Sequence, residues 1–205
     1  MTLNIGQRTT SATGGTISTI SGYTVHTFTS GGNFVPSGSG TIEVLVVGGG
    51  GGPSYPGYAS GGGGGAVIYN KFVNVTSGNP YPINVGSGGA TFTNGGISSC
   101  TFNNATIIAY GGGGGSGAPN IGNPSPNASG GAGPTPGVGA GVTGYGFPGG
   151  LGGGGYGGGA GGPGASGGIG VSYSITGTSQ YYGAGPFWGS APPGTPGAVI
   201  IRYPT

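Results

Sequence analysis

Aspartate is missing from this 205-residue chain, and glutamate, histidine, cysteine, methionine and tryptophan occur once each. Charged residues make up 2% of it, against about 25% in an ordinary soluble protein. The full set is Arg8, Glu43, Lys71 and Arg202, with His26 beside them. Each shortage removes a class of function. A formal net charge of +2 builds no footprint for neutralising phosphates, so nucleic acid is not an expected partner. No basic amphipathic stripe can form, and no apolar run nears the roughly eighteen residues of a membrane span, so membrane insertion is not expected.

Catalysis meets the same scarcity. A single acid rules out a paired-carboxylate hydrolase within one chain. A Ser-His-Asp triad lacks its Asp. The Glu variant would need Glu43 and His26, both in strand-like stretches (TIEVL, TVHTF), to converge on one serine. Carboxylates are too few for calcium or magnesium, and Cys100 alone supplies no metal-ligand spacing. G-x-G-x-x-G recurs, as it must in so much glycine, but no helix follows it and no P-loop lysine follows any glycine run. The expectation is a non-enzyme without cofactor or metal. Cys100, in SSCTF, reads as a small buried residue of a strand and has no partner for an internal disulfide. The stretch MTLNIGQRTTSATGG has no apolar core behind a basic start and does not read as a secretory signal. Three N-x-S/T sequons, at Asn74, Asn104 and Asn127, carry little weight in a chain rich in Asn, Ser and Thr.

Glycine, by contrast, is abundant: 61 residues, with 17 prolines. Low charge with so much Gly and Pro usually signals disorder. Here 33% hydrophobic and 10% aromatic residues, concentrated rather than sprinkled, argue for packing. The stretch TISTISGYTVHTFTSGGNFV predicts a hairpin about Ser30-Gly31-Gly32-Asn33. A strand over 41–47 follows, with Leu45 and Val47 on one face and Ile42, Val44 and Val46 on the other. Both faces are therefore expected to be covered. Glu43 falls on the Leu45 face, within reach of solvent, a lysine or an arginine. Further strands are expected over 66–69, 71–75, 81–85, 100–102, 107–110, 171–175 and 197–203. No window carries helical periodicity.

EVLVVGGGGG runs a strand straight into five glycines, and GGGGGAVIY runs five more into the next strand. Broken spacing excludes collagen, and free linkers seldom return to strong strands. Polyglycine II fits better: a left-handed, three-residue helix rising about 3.1 Å per residue, without internal hydrogen bonds. Its N–H and C=O groups need partners when buried, and only glycine lets neighbouring rods come close enough to supply them. Proline has a suitable φ. The expected fold class is all-β with an irregular glycine-rich part, short antiparallel strands in a sandwich-like arrangement plus packed polyglycine II helices. Residues 1–19 read as a docking or assembly segment, 20–110 as the β-rich part with the pentaglycine runs, 111–170 as the polyglycine region, and 171–205 as closing strands with an aromatic loop.

Aromatic residues punctuate the glycine-rich loops. Tyr55 and Tyr58 stand in PSYPGYAS, Tyr145 and Phe147 in TGYGFPGG, Tyr156 in GGGGYGGG, and Tyr181, Tyr182, Phe187 and Trp188 in QYYGAGPFWG. They can cap the glycine rods as small hydrophobic patches. They can also form a binding tip, since Tyr and Trp give rigid amphipathic contact area at low entropy cost and stack on the apolar faces of sugars.

The order GYTVHTFTSGGNF, TIEVLVVGGGGG, GGGGGAVIY, YPINVGSGGA, a glycine-rich stretch and a closing PGAVIIRY resembles the glycine-rich domain of bacteriophage tail-fibre and tail-tip adhesin proteins. The likeness runs from Ile20 to Tyr203. It implies a rigid body of stacked polyglycine II helices whose distal loops meet the bacterial surface, through a glycan or an outer-membrane protein. It also implies a homo-oligomer, such as a trimer, in the virion tail and extracellular after release. Such tip adhesins carry a separate attachment domain, whereas few residues precede the glycine-rich region here. Residues 1–19 then serve to dock on another tail protein, or the chain is itself a fibre subunit. A purely structural fibre or filament subunit is the alternative, separated from the adhesin by whether the aromatic loops are exposed at one end.

Overall fold

The computed structural model describes residues 11–54, 60–103, 105–116, 129–131, 141, 146, 157–164, 168–185 and 193–205. Among these residues, twelve strands arise from the β-branched and aromatic runs. One five-stranded sheet has the order β2 (Thr16–Ile20), β3 (Tyr23–Phe28), β12 (Ala198–Pro204), β5 (Gly40–Val47) and β6 (Val67–Val75). A second runs β1 (Ala12–Thr13), β4 (Gly32–Pro36), β7 (Tyr81–Asn84), β8 (Ser98–Phe102) and β9 (Ala105–Ala109). A hairpin of β10 (Val171–Tyr173) and β11 (Gln180–Tyr182) is hydrogen-bonded to neither sheet. All pairings are antiparallel.

The first hairpin is not where the sequence pattern put it. It closes between β2 and β3 at Ser21-Gly22, with Ile20 opposite Tyr23 and Gly22 at φ 77°. A two-residue turn favours that positive φ. The Ser30-Gly31-Gly32 stretch instead carries the chain from one sheet to the other, so Phe28 and Phe34 face each other across the core. Residues 12–19, expected within a docking segment, supply β1 and, with Ile20, β2 at the sheet edges. Residues 1–10 lie outside the described residues.

The sheets stack as a sandwich. Ile42, Val44, Val46, Val199, Ile201 and Tyr203 of the first sheet meet Phe34, Tyr81, Ile83, Cys100 and Phe102 of the second. On the outer face of β5, Leu45 and Val47 pack with Val25 and Ile200 under Ile175 and the β10–β11 hairpin. The two-faced apolar pattern of β5 is thereby satisfied on both sides, as 41–47 demanded. Strand β12 lies between β3 and β5 at the centre of its sheet, so GAVIIRY is buried although it comes last in the chain.

Beyond Val47 the chain stops behaving as a strand. Gly48 N donates to Ala66 O, Gly51 N to Gly63 O and Ser54 N to Ser60 O, at 2.9, 2.8 and 2.9 Å. Gly49 N and Gly52 N turn to a second neighbour, at Gly96 O and Thr93 O, and Gly50 N to a third, at Thr195 O. A donor that returns to the same partner every third residue belongs to a threefold rod, because a strand alternates between two sides. The carbonyls follow suit: Gly49 O and Gly52 O accept from Gly112 and Gly115, and Gly50 O from Gly89. Rod 48–54 is therefore bonded to rods 60–66, 86–90, 93–96, 111–115 and 193–197, in polyglycine II packing. The place of rods 86–90, 93–96 and 193–197 in the lattice comes from these partners.

Six strands prolong into rods at one end of the sandwich. Strands β5, β7 and β9 run out into 48–54, 86–90 and 111–115, while 60–66, 93–96 and 193–197 run into β6, β8 and β12. The lattice is a continuation of the sandwich with its side chains removed. Its close spacing demands glycine: a Cβ on Gly51 would stand 2.1 Å from Gly113 O, and one on Gly52 1.8 Å from Ala90 O. Both obstacles are backbone atoms, which cannot rotate aside.

Candidate recognition surface

The residues with potential for acid–base chemistry are engaged in the fold. His26 is fully buried between Phe34, edge-on at 5.2 Å, and Tyr203, stacked at 5.6 Å. Its Nδ1 lies 2.7 Å from Gly14 O, and a carbonyl only accepts, so Nδ1 carries the proton. Nε2 then accepts from the Tyr203 hydroxyl at 3.0 Å. Burial holds the imidazole below its ordinary 6.5 against the opposing effect of the Gly14 bond. Glu43 sits on the other face of the same sheet, paired with Arg202 Nη2 at 2.7 Å and accepting from the Tyr69 hydroxyl. Arg202 also stacks on the Tyr23 ring, 4.7 Å from its centroid. Burial, then the Glu43 carboxylate, push Tyr69 up to about 12. His26 and Glu43 therefore form no dyad. Among the described residues no group of three or more His, Cys, Asp or Glu could hold a metal ion, and no helix is long and apolar enough to cross a membrane.

Of the nine aromatic candidates, two are described. Tyr181 and Tyr182 are neighbours on β11, which is a strand and not part of a loop. Alternation sends them to opposite faces. Tyr182 packs on the outer cluster with Tyr69 and Tyr173, while Tyr181 is 70% exposed. The same tyrosine pair thus splits into an anchor and a free aromatic. Tyr55, Tyr58, Tyr145, Phe147, Tyr156, Phe187 and Trp188 lie outside the described residues.

The flanks of those segments are described, and several share an address. Ser54 and Ser60, bonded at 2.9 Å, bracket the segment with Tyr55 and Tyr58 at the lattice end farthest from the sheets. Gly157, which follows Tyr156, would touch Gly62 O with a Cβ at 1.6 Å, close to that end. Gly183 lies against Gly65 and Val67 near the sheets, and two residues on, Gly185 has moved out to Gly157. The chain comes back at Gly194, against Gly50 and Gly51, and runs inward to Gly197 beside Val47.

One further aromatic was missed. Phe72 on β6 is 81% exposed, the most of any large hydrophobic side chain among the described residues. It borders a cavity of about 400 Å³ between β6 and the β8–β9 hairpin, lined also by Asn70, Asn74, Asn103, Phe102 and Ile107. In the sequence VIYNKFVNV, Phe72 stands at alternate positions with Asn70 and Asn74, an aromatic among polar residues, although the register sets Asn70 opposite Val44 and Asn74 opposite Thr41, on different faces.

No match emerges from comparison with curated proteins. The family model for a glycine-rich domain matches residues 24–198, from β3 through the lattice to the first residue of β12. The strand-to-rod junctions described above all fall within that span, and the chain belongs to this glycine-rich domain family.

Proposed function

We propose that this chain is a subunit of a bacteriophage tail fibre or tail tip that recognises the host bacterial surface, a glycan or an outer-membrane protein. The observation that carries the reading is that Ser54, Ser60 and Gly157, described flanks of the segments with Tyr55, Tyr58 and Tyr156, lie toward the lattice end away from the sandwich. Backbone bonds in three directions make the lattice a stiff support, and recognition residues act best on rigid elements. Low charge suits contact led by aromatic and amide groups. The chain acts by binding alone, without catalysis or cofactor. Homo-oligomerisation, as a trimer, and docking of residues 1–19 on another tail protein complete the assembly, in the virion tail and extracellular after release.

A structural fibre subunit is the second reading, favoured by the open edges of β6 and β9, where Phe72 and Ile108 are exposed. One experiment separates the two. Labelled full-length chain applied to a panel of bacterial strains should bind a subset, and Trp188→Ala combined with Tyr181→Ala should weaken that binding by about tenfold or more. Absence of binding to every strain, or equal binding by the variant, overturns the adhesin. Cryo-EM of the assembly with the loops buried between repeating subunits would then mark a filament.

A further inference from the structure

Residues 11–15 form a strap that leaves the edge of one sheet and enters the other, and few bonds hold it. Strand β1 contributes two residues, with Ala12 opposite Pro36 and Thr13 opposite Val35. Ser37 N donates to Ser11 O at 2.9 Å. Gly14 and Gly15 then turn the chain into β2 at φ 108° and 63°, values that suit a glycine hinge. The remaining hold comes from the core side. Gly14 O accepts from His26 Nδ1 at 2.7 Å. The Tyr203 hydroxyl, which donates to His26 Nε2 at 3.0 Å, takes a bond from the Ala12 backbone and another from the Thr24 side chain. His26 and Tyr203 are buried, whereas Ser11, Thr13 and Gly15 are exposed, so the strap is the layer between the imidazole and water.

This hold works in one protonation state. The neutral imidazole has one donor, spent on Gly14 O, and one acceptor, spent on Tyr203. A second proton, on Nε2, would point at the hydroxyl hydrogen of Tyr203, which then has Thr24 to turn to. None of these partners carries a charge to match the imidazolium. From β2 the ring faces Ile17, from β12 Ile201 and Tyr203, and from β4 Phe34, so Tyr203 is the one titratable group set against it. Glu43 and Arg202 are paired on the opposite face of the sheet, and Lys71 lies by Tyr69. A buried charge without a counter-charge is driven toward water. Lifting the strap is the least costly route, because it breaks the fewest bonds. We propose that His26 is a proton-operated latch: protonation of its imidazole releases residues 11–15 about the Gly14–Gly15 hinge and opens the edge of β4, while the other strands keep their pairing. The inference goes beyond host recognition and does not depend on it.

Hydrogen exchange on the full-length chain tests the latch, with the single histidine ring followed by NMR. The released imidazole takes its proton near the ordinary 6.5, and the latched one only at lower pH, because burial disfavours the charge. Between those values opening takes up one proton. Protection of the Ala12 and Ser37 amides, corrected for intrinsic exchange, should therefore fall by about tenfold per pH unit. Low urea should leave that fall unchanged, since a released strap exposes little surface, while the β12 amides stay better protected and respond to urea. His26→Gln, whose neutral amide keeps one donor and one acceptor, should abolish the fall. Protection at Ala12 and Ser37 that ignores pH while the ring titrates overturns the latch. An unchanged fall in the variant overturns it too, as does a loss that follows urea in step with β12, which would mean loosening of the whole fold. Should the variant not fold, the comparison of Ala12 with Val199 within the wild-type chain still decides. Binding to bacterial cells is measured at one pH, and its failure leaves the latch untouched.

Discussion

Replacing Gly51 with alanine adds one methyl group and should come close to unfolding the protein. Its Cβ would stand 2.1 Å from Gly113 O, 2.5 Å from Gly113 C and 2.9 Å from Gly112 O. Ordinary contact begins near 3.4 Å, so rods 48–54 and 111–115 must separate by more than an ångström. Between them run Gly112 N to Gly49 O at 2.8 Å and Gly115 N to Gly52 O at 2.9 Å, which such a shift carries beyond hydrogen-bonding range. Each of the two lost bonds leaves buried groups unmet and costs about 2–3 kcal/mol, the upper part of the range for such a loss. Against this, alanine restricts the unfolded chain and returns about 0.4–1 kcal/mol. The balance is a loss of about 3–5 kcal/mol, a large share of the roughly 5–15 kcal/mol that holds a domain together. Gly78→Ala is the control, because Gly78 has φ +73° but nothing within 4 Å of its would-be Cβ. Its strain should cost only about 1–2 kcal/mol. Equilibrium urea unfolding followed by circular dichroism measures both. If the two variants fall within about 1 kcal/mol of each other, the steric account of the lattice is wrong.

Acid should also loosen the fold through one residue. Because burial holds His26 below 6.5, the unfolded chain takes up the proton first; this contribution is fully present above 6.5 and is lost as pH falls through the lower folded value. With no aspartate and one glutamate, little else titrates between about pH 7.5 and pH 5, so Tm should fall across that window and His26→Gln should flatten the fall. Equal slopes in both proteins would refute the assignment. Cys100, 1% exposed and with its thiol pushed up to about 12 by burial, should resist a thiol reagent at about pH 8 until the sandwich opens in urea. Labelling of the native protein at the unfolded rate would contradict that burial.

Much of this architecture was legible before any coordinates. Val, Ile, Thr and aromatic residues in runs of period two can satisfy themselves only in sheets, and β5 announced by its two apolar faces that it would be covered twice. Five glycines following directly on a strand limit the chain to a conformation without side-chain packing, and the absence of charge left backbone hydrogen bonds as the means of holding it. Composition and local pattern therefore determined the all-β class, the rods that the two pentaglycine runs form, and the buried state of Cys100, whereas the burial of β12 followed from its place between β3 and β5. Tertiary structure decided what no local pattern contains. A rod's partners lie in three directions and come from distant parts of the chain, so 86–90, 93–96 and 193–197 became rods only because 48–54 was there to receive them. The Ser30–Gly32 bend crosses between sheets, where an isolated ribbon would have closed on itself, because Phe28 and Phe34 fill one core from opposite sides. Tyr181 and Tyr182 were separated into surface and core by β11 pairing. Phe72 owes its exposure to a bulge opposite Glu43, where the β5–β6 register shifts between Ile42 and Val44, and a bulge, being a mismatch between two strands, exists only once they have met.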